Sequence, residues 1–429
     1  MIRRHFFKSI GGLASGLFFT GGMPVFSSPS SFNRTCRNTP INEKFWRLVR
    51  KQFLLPENYA YLNTGGLGTS PALVRDAVKK RMDQEDAHPG PGYSEKDWWK
   101  IKEKCASLLG PNVKKEELAF TSSATEGINI IINGLPLNKG DEIITSTHEH
   151  PALNVPLLYR MKTSGIVIKT FEPDLVDAPG NVRRIERLIT KRTRLIFISH
   201  ITCITGQIMP VKEIGQLARA NGLWFALDGV QAVGHLPVNI GETGVDFYAA
   251  SGHKWLLGPR RTGIFYVRKD LLDANMLKPC VVGAYSNGGY DMEKRLLKLH
   301  PTGQRFEYAT QNEALFYGLE AAMDFINGIG IETIRDHNKQ LAEMFYQGLS
   351  EISQLELLSP LQENYRSAMI AFRIKNRDNR EIIIKLERKG FRLRQVVELK
   401  PQAIRASFHI YNNEQEVQRL LQEIKSFTV

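Results

Sequence analysis

Cysteine is scarce in this sequence: its 429 residues include only Cys36, Cys105, Cys203 and Cys280. None of them forms a Cys-x-x-Cys pair or lies in a His-rich segment, so the sequence predicts neither a metal site nor a disulfide framework. Cys36 also lacks the preceding apolar and small residues that are expected before a lipidated cysteine. The sequence therefore argues against a lipoprotein.

The apolar part of the N-terminus is too short for a membrane-spanning helix. Residues 1–8 are basic, and a Gly-rich, moderately apolar stretch follows over residues 10–26. This order is typical of a secretory signal. Because Arg3 and Arg4 are followed by x-Phe-Phe-Lys, the segment is similar to a twin-arginine signal, which predicts a signal peptide over 1–31 and a periplasmic or otherwise exported protein without a stable membrane anchor. A basic, disordered tail is the alternative interpretation.

Acidic residues are too few to balance the basic ones. Lys and Arg number 57 against 44 Asp and Glu, which gives a formal net charge of +13. The basic residues are spread along the chain, with only modest clusters such as 191–194 and 388–389. We interpret the surplus as solvated surface with a bias toward anionic ligands, and we predict no nucleic-acid partner.

Internal repeats and low-complexity tracts are absent, and the length allows a large domain with a smaller companion. From residue 70 onward, helical segments alternate with short apolar runs that are typical of buried strands. This alternation predicts an α/β fold with a mostly parallel sheet that helices cover on both faces. The predicted strands are 118–121, 142–145, 167–170, 195–199, 224–228, 247–250 and 263–267.

The sequence divides into four predicted parts. Residues 1–31 are the signal peptide, 32–70 an N-terminal segment and 71–310 the large domain. The alternation of helices and strands ends after Tyr266, where a Gly- and Lys-rich connection is predicted up to Gln304. Residues 311–429 form the predicted smaller domain.

Polar residues follow four of the predicted strands at the point where each strand ends. Because the carboxyl ends of parallel strands meet at one edge of a sheet, these residues are expected to lie close together. Hydroxyl residues that open a helix, as at 122–125, present N–H groups to a phosphate, although a plain helix cap has the same pattern. The other groups are His150 in the segment 147–151, then Asp228 and Gln231, then His253 and Lys254.

Lys254 and Asp228 indicate pyridoxal phosphate (PLP) chemistry. A lysine holds the aldehyde of this cofactor as a Schiff base until a substrate amine displaces it. An acid at the end of a nearby strand keeps the pyridine nitrogen protonated, so that the ring can accept electrons from a carbanion. The pair therefore predicts an enzyme.

These motifs resemble those of class V aminotransferases, PLP-dependent enzymes of fold type I. This group contains isopenicillin N epimerase-like proteins and cysteine desulfurases. The resemblance begins at residues 61–66 and continues almost to the C-terminus. It implies a large PLP-binding domain with a mostly parallel seven-stranded sheet, a smaller C-terminal α+β domain and a homodimer.

The resemblance also implies a role for each site residue. Lys254 is the Schiff-base lysine, Asp228 the partner of the pyridine nitrogen and His150 the ring that stacks on the cofactor; these three are the predicted catalytic residues. Gln231 is expected to bond the phenolic oxygen, and Arg405 to bind the substrate carboxylate. The remaining implied contacts are Ser123, Ala124, Thr125, Ser251 and His253 to the phosphate, Thr310 to the phosphate of the neighbouring subunit, and Asn63 to the substrate.

Single residues have simpler interpretations when they are taken alone. His150 is then a capped or core histidine, and Arg405 a surface ion-pair partner. The constellation favours the catalytic interpretation, because independent caps would not also supply a lysine and an acid at the same edge.

The predicted reaction is proton chemistry at the α-carbon of a small-molecule amino acid. Transamination and epimerisation use the same residues, so both remain open. A cysteine desulfurase or β-lyase is the alternative, which is less favoured because desulfurases carry a nucleophilic cysteine ahead of the carboxylate arginine and residues 281–429 contain none. A non-catalytic PLP-binding protein is the third hypothesis.

Overall fold

The computed structural model describes residues 32, 34–36, 39–90 and 94–428. The predicted signal peptide lies outside these described residues. Within them, no helix combines the length and the apolar character that crossing a membrane requires. The same part of the chain has no group of His, Cys, Asp and Glu side chains that could hold a metal ion.

The strands of the described residues include each of the seven that the sequence predicts, with ends that differ by at most two residues. In chain order they are β1 (Ala60–Tyr61), β2 (Leu118–Thr121), β3 (Glu142–Ser146), β4 (Val167–Phe171), β5 (Thr193–Ser199), β6 (Trp224–Asp228), β7 (Phe247–Ser251), β8 (Gly263–Val267), β9 (Asn287–Asp291), β10 (Leu296–Leu299), β11 (Leu355–Leu357), β12 (Met369–Ile374), β13 (Phe391–Arg392), β14 (Arg394–Val396) and β15 (Ala403–Ser407).

The helices cover the sheets and lead into the polar loops. In chain order they are α1 (Glu43–Arg50), α2 (Ala72–Ala87), α3 (Glu95–Leu109), α4 (Ala124–Gly134), α5 (Pro151–Ser164), α6 (Asn181–Glu186), α7 (Val211–Ala220), α8 (Ile240–Thr243), α9 (Lys269–Asp273), α10 (Glu313–Ile329), α11 (Ile331–Ser350), α12 (Asn379–Arg388) and α13 (Glu414–Ser426).

A seven-stranded sheet forms the centre of the large domain, in the order β2-β8-β7-β6-β5-β3-β4. Strand β8 is antiparallel to its neighbours β2 and β7, and the other pairs are parallel. The carboxyl ends of β2, β3, β5, β6 and β7 therefore lie at the same edge. The predicted fold class, a mostly parallel sheet of this size with a smaller α+β unit, is confirmed.

Apart from the edge strand β4, which is partly exposed, the strands of this sheet are buried on both faces, which explains why they are almost continuously apolar. Successive residues of a strand point to opposite faces. Ile144 and Ile196 accordingly belong to one hydrophobic cluster, and their neighbours Ile143 and Leu195 to another. Burial on both faces makes the sheet a rigid support for the loops at its edge.

A second sheet, in the order β11-β12-β15-β14, is antiparallel and has its own hydrophobic cluster. The N-terminal segment also contributes to this region, because β1 pairs with β13 and Leu62 lies in the same cluster. Helix α10 instead packs into the core of the large sheet, through residues such as Phe316 and Ile326. The predicted boundary between 310 and 311 stays a prediction.

The segment 271–304 was predicted as a connection, and this prediction is wrong in its middle part. Strands β9 and β10 pair there as an antiparallel hairpin. Leu296 and Leu297, on β10, are 61% and 60% exposed. A hairpin with exposed side chains lacks the alternation of buried and polar residues by which a strand is recognised in a sequence.

Candidate active site

The predicted catalytic residues lie at the shared carboxyl edge of the large sheet. Asp228 is the last residue of β6, and it pairs in register with Ser199 of β5 and Ala249 of β7. Strand β7 ends at Ser251, and the loop that follows carries Lys254. The structure therefore brings the acid and the lysine to neighbouring strand ends, as the sequence predicts.

Lys254 is 9% exposed, and this burial lowers the pKa of its amine to about 8, against the opposing effect of Asp228. At neutral pH, a lysine with this pKa has a larger neutral fraction than an ordinary lysine, and the neutral amine is the form that attacks an aldehyde. The segment before α2 packs tightly against the backbone of Lys254. Gly68 donates its N–H to the carbonyl of His253 at 2.8 Å, and a Cβ at Gly68 would lie 2.0 Å from the Lys254 carbonyl oxygen.

Asp228 is a buried carboxyl group that fits a protonated pyridine nitrogen. Its Oδ1 accepts one hydrogen bond, from the backbone N–H of Val230 at 2.9 Å, and the side chain is 5% exposed. Burial raises its pKa. Within the described part of the chain, no Lys, Arg or His side chain forms an ion pair with it. A cationic ring nitrogen would supply the partner that this carboxylate lacks.

Gln231 is held by two hydrogen bonds of its own. Its Oε1 accepts from the Trp255 indole at 2.7 Å, and its Nε2 donates to the Gly65 carbonyl at 2.9 Å. One N–H of the amide is left over, which is the group that the predicted bond to the phenolic oxygen requires. That role stays a prediction.

The start of α4 has the geometry of a helix cap and also that of a phosphate site. Ser123 is the N-cap, and its Oγ accepts from the N–H of Glu126 at 3.3 Å. The N–H of Ala124 donates to Ser251 Oγ at 3.2 Å, so β7 reaches the same point. Thr125 is exposed. The plain-cap interpretation is therefore correct. In addition, β2, α4 and β7 meet at this point, and the N–H groups at the start of α4 are of the kind that bind a phosphate.

Two further details fit a phosphate at this position. His253 has a buried Nδ1 without a hydrogen-bond partner among the described residues. A Cβ at Gly263 would lie 2.4 Å from Thr121 Oγ1 and 2.7 Å from the Ser123 carbonyl carbon, so only glycine lets β8 approach the loop. The residues present fit the phosphate group of PLP.

His150 caps α5, as its simpler interpretation predicts. Its Nδ1 accepts from the N–H of Ala152 at 3.1 Å, which leaves the proton of the neutral ring on Nε2. Burial, reinforced by the charge of Lys254, lowers the pKa of His150 to about 4. The ring is therefore neutral at physiological pH. A neutral capped ring can still stack on the cofactor, and that role stays a prediction.

Arg405 is not a surface ion-pair partner, because it is 1% exposed. Its Nη1 donates to the carbonyl of Cys203, while Nε and Nη2 are buried without hydrogen-bond partners among the described residues. Burial lowers its pKa to about 9, and the charge of Arg394 contributes. The unpaired donors of Arg405 fit a substrate carboxylate. Asn63 forms a bridge with Ser407, and its buried Oδ1, which is an acceptor, has no partner in this part of the chain. The predicted contact of Asn63 with the substrate stays a prediction.

Thr310 lies apart from these contacts within one chain. It is exposed, on the segment between the helical turn Gly303–Phe306 and α10. Its predicted contact with the neighbouring subunit, and the homodimer itself, stay predictions.

Three residues that are not among the predicted site residues also lie near Arg405. Arg394 lies opposite Arg405 in the pairing of β14 with β15, and Glu398 bonds Arg394 at 2.5 Å. Cys203 is 4% exposed, and its thiol contacts the His148 carbonyl at 3.9 Å. Only the antiparallel pairing of β14 and β15 brings Arg394 to the site, and no local pattern in the sequence shows that pairing.

The family of the chain follows from its similarity to known proteins. The sequence profile of class V aminotransferases matches residues 86–420. A probable cysteine desulfurase of Methanothermobacter thermautotrophicus is 32% identical over 397 residues, which is 87% of this chain and 95% of that protein. A cysteine desulfurase of Serratia proteamaculans is 31% identical, over 75% of this chain and 80% of its own length.

Solved structures of cysteine desulfurases and of a cystine C–S lyase are also similar to this chain. The cystine C–S lyase C-DES in complex with cysteine persulfide superposes with a TM-score of 0.75 at 27% identity, over 86% of this chain and 97% of that one. A C-DES mutant carries glycine linked covalently to PLP, and it is also 27% identical, with a TM-score of 0.77 over 87% of this chain and 98% of its own. The cysteine desulfurase of Thermococcus onnurineus, at 24% identity and a TM-score of 0.80 over 89% and 98%, shares the fold. The chain therefore belongs to the class V aminotransferase family of PLP-dependent enzymes.

Proposed function

We propose that this protein is a C–S lyase that cleaves the carbon–sulfur bond of a sulfur-containing amino acid by β-elimination. The observation that carries the proposal is a site with a buried lysine, acid and arginine but no ionised thiol beside them. The names of the relatives support sulfur chemistry, since they are cysteine desulfurases and a cystine C–S lyase. They favour a cysteine desulfurase or β-lyase, the alternative hypothesis from the sequence, over transamination or epimerisation.

In this reaction, Arg405 and Lys254 have separate roles. Arg405 binds the substrate carboxylate, and the amine of Lys254 removes the proton from the α-carbon. When it is bound, PLP supplies an electron sink for the pair left on that carbon. The pair then forms the Cα–Cβ double bond while the Cβ–S bond breaks, and the sulfur leaves with the bonding electrons and accepts a proton. The three-carbon product, 2-aminoacrylate, hydrolyses with one water to pyruvate and ammonia.

A desulfurase reaction would need a protein thiolate to attack the sulfur. Cys36 and Cys105 lie in the hydrophobic core, and Cys280 contacts the Asn129 carbonyl of α4. Cys203 is the cysteine next to Arg405, but burial raises the pKa of its thiol to about 11. A thiol with that pKa is protonated at neutral pH. Elimination needs no protein thiolate, which is why the arrangement favours it.

Product analysis of the PLP-loaded protein tests the proposal. We expect cystine to yield pyruvate, ammonia and cysteine persulfide, and the Cys203→Ser variant to retain this activity. Lys254→Ala is the matched inactive variant. Alanine as the product from cysteine, together with sulfur bound to Cys203 in the intact mass, would instead indicate a desulfurase. Conversion of PLP to pyridoxamine phosphate would indicate a transaminase, and racemised substrate with an unchanged cofactor would indicate an epimerase.

A further inference from the structure

Glu149 is a buried carboxylate at the carboxyl edge of the large sheet, directly before the His150 cap of α5. The residue is 1% exposed, and its side chain bonds the last residues of β3 and β5. Its Oε1 accepts from Ser146 Oγ at 2.5 Å and from the N–H of Ser199 at 3.2 Å, and its Oε2 bonds Ser199 Oγ at 2.5 Å. The predicted roles in the segment 147–151 belong to His150, and this carboxylate has none of its own.

Ser199 brings this carboxylate next to Asp228. The two residues pair in register at the ends of β5 and β6, and neighbouring strands lie about 4.8 Å apart. Phe197 and Ala226, two residues earlier on the same strands, pair in the same way and belong to one hydrophobic cluster. Because residues two apart on a strand point to the same face, Ser199 and Asp228 also share a face. The Glu149 carboxylate is therefore separated from Asp228 by about one strand spacing and one hydrogen bond.

Neither carboxylate has a cation of its own. Among the described residues, no Lys, Arg or His side chain forms an ion pair with Glu149 or Asp228. Glu142, at the opposite end of β3 and equally buried, has such a partner in Lys169 at 2.9 Å. Burial raises the pKa of Glu149 to about 7, the hydrogen bonds from the two serines oppose this effect, and the charge of Asp228 adds to it. Two buried carboxylates without a cation repel each other, so a cation placed beside both would stabilise them.

A protonated pyridine ring supplies one cation to this pair. We infer that Glu149 is a positioning residue whose negative charge acts together with that of Asp228 to hold the ring nitrogen of PLP in its cationic form. Asp228 is assigned to the nitrogen itself, and Glu149 acts from behind Ser199 by making the electrostatic potential at that point more negative. The inference goes beyond the proposed function, because it does not depend on which bond of the substrate breaks.

Two substitutions separate the charge of Glu149 from its contacts. Glutamine keeps all three hydrogen bonds, because its oxygen accepts from Ser146 Oγ and the Ser199 N–H while its NH2 group donates to the Ser199 hydroxyl. Glu149→Gln therefore removes the charge alone. Aspartate keeps the charge, but its side chain is one methylene shorter and loses the contacts. A purely structural role for Glu149 predicts that Glu149→Asp is the more damaging change, whereas the inferred role predicts this of Glu149→Gln.

The test compares two cofactors in the apoprotein. PLP has the ring nitrogen, and its deaza analogue, in which C–H replaces that nitrogen, cannot carry the ring charge. Fluorescence titration gives a Kd for each. We expect Glu149→Gln to weaken PLP about tenfold with little change for the deaza analogue, since a neighbouring charge shifts a pKa by about one unit or more. Glu142→Gln, which removes an equally buried carboxylate from the other end of β3, is the matched control and should keep the wild-type ratio of the two Kd values.

Glu149→Asp should also keep this ratio, even if both Kd values rise together. In addition, ¹⁵N NMR of PLP labelled at the ring nitrogen should show a smaller protonated fraction in Glu149→Gln than in Glu149→Asp at the same pH. An unchanged ratio of Kd values in Glu149→Gln would overturn the inference, and so would loss of the ratio in Glu149→Asp. No substrate is used, so the result is independent of whether the protein is a C–S lyase.

Discussion

Lys102 and Glu307 form an ion pair that is closed to solvent, with Nζ and Oε1 2.7 Å apart and the two side chains 0% and 2% exposed. The same carboxylate accepts the N–H of Phe120 at 2.8 Å and the Trp98 indole N–H at 2.9 Å. Glu307 thereby ties α3 and β2 to the segment that leads to Thr310.

We expect a single substitution in this ion pair to destabilise the protein more than a substitution of both residues does. Glu307→Gln leaves the Lys102 charge buried without its partner, so we expect the free energy of unfolding to fall by about 3–5 kcal/mol. Lys102→Met together with Glu307→Gln should recover much of that loss, because no buried charge remains. Urea denaturation measures both. Arg47→Gln, which breaks the exposed pair with Glu43, is the control and should change stability by less than about 1 kcal/mol.

We expect the burial of Lys254 to lower the free energy of unfolding of the protein without PLP, by an amount that depends on pH. The pKa of Lys254 in the folded chain is about 8, below the ordinary value of 10.5, so the unfolded state binds more protons between these two values. Stability should therefore rise with pH across this range. Lys254→Met removes this effect, and we expect it to stabilise the apoprotein at pH 7 by about 1–3 kcal/mol and by much less at pH 10. Denaturation of both proteins at the two pH values checks this, and an equal difference at both would contradict it.

The elements around the site were predictable because their strands are short apolar runs that end in polar residues. Strands 118–121, 224–228 and 263–267 have the bounds that the sequence predicts. Because the predicted strands are mostly parallel, their carboxyl ends were expected at one edge of the sheet. This expectation placed Asp228 and Lys254 close together. A short apolar run bounded by polar residues is consistent with a strand buried on both faces, and its shortness distinguishes it from a helix.

What the sequence could not predict depends on contacts between distant residues. Strand β1 pairs with β13, more than three hundred residues later, and nothing in either segment indicates the other. Arg394 enters the site through its register with Arg405, and its partner Glu398 lies in a loop. Pairing of this kind is set by tertiary packing, since strands as short as β13 and β14 carry little local preference.

The N-terminus, which lies outside the described residues, predicts export of the folded protein. Replacing Arg3 and Arg4 with lysine keeps the charge but removes the paired arginines that the twin-arginine signal requires. We expect the double variant to accumulate as a precursor in the cytoplasm. Cell fractionation with immunoblotting measures this, and normal export of the variant would show that the segment is not a twin-arginine signal.

Arg405→Lys tests the substrate anchor that both the proposed function and the earlier prediction require. Lysine keeps the positive charge but loses the planar two-pronged contact with a carboxylate. We expect kcat/KM to fall about tenfold to hundredfold for cystine and S-methylcysteine alike, because both present the same α-carboxylate. Binding of PLP, followed by its absorbance, should stay unchanged, since Arg405 is assigned to the substrate. An unchanged kcat/KM would make Arg394 the carboxylate anchor, whereas loss of PLP would show that Arg405 supports the cofactor site.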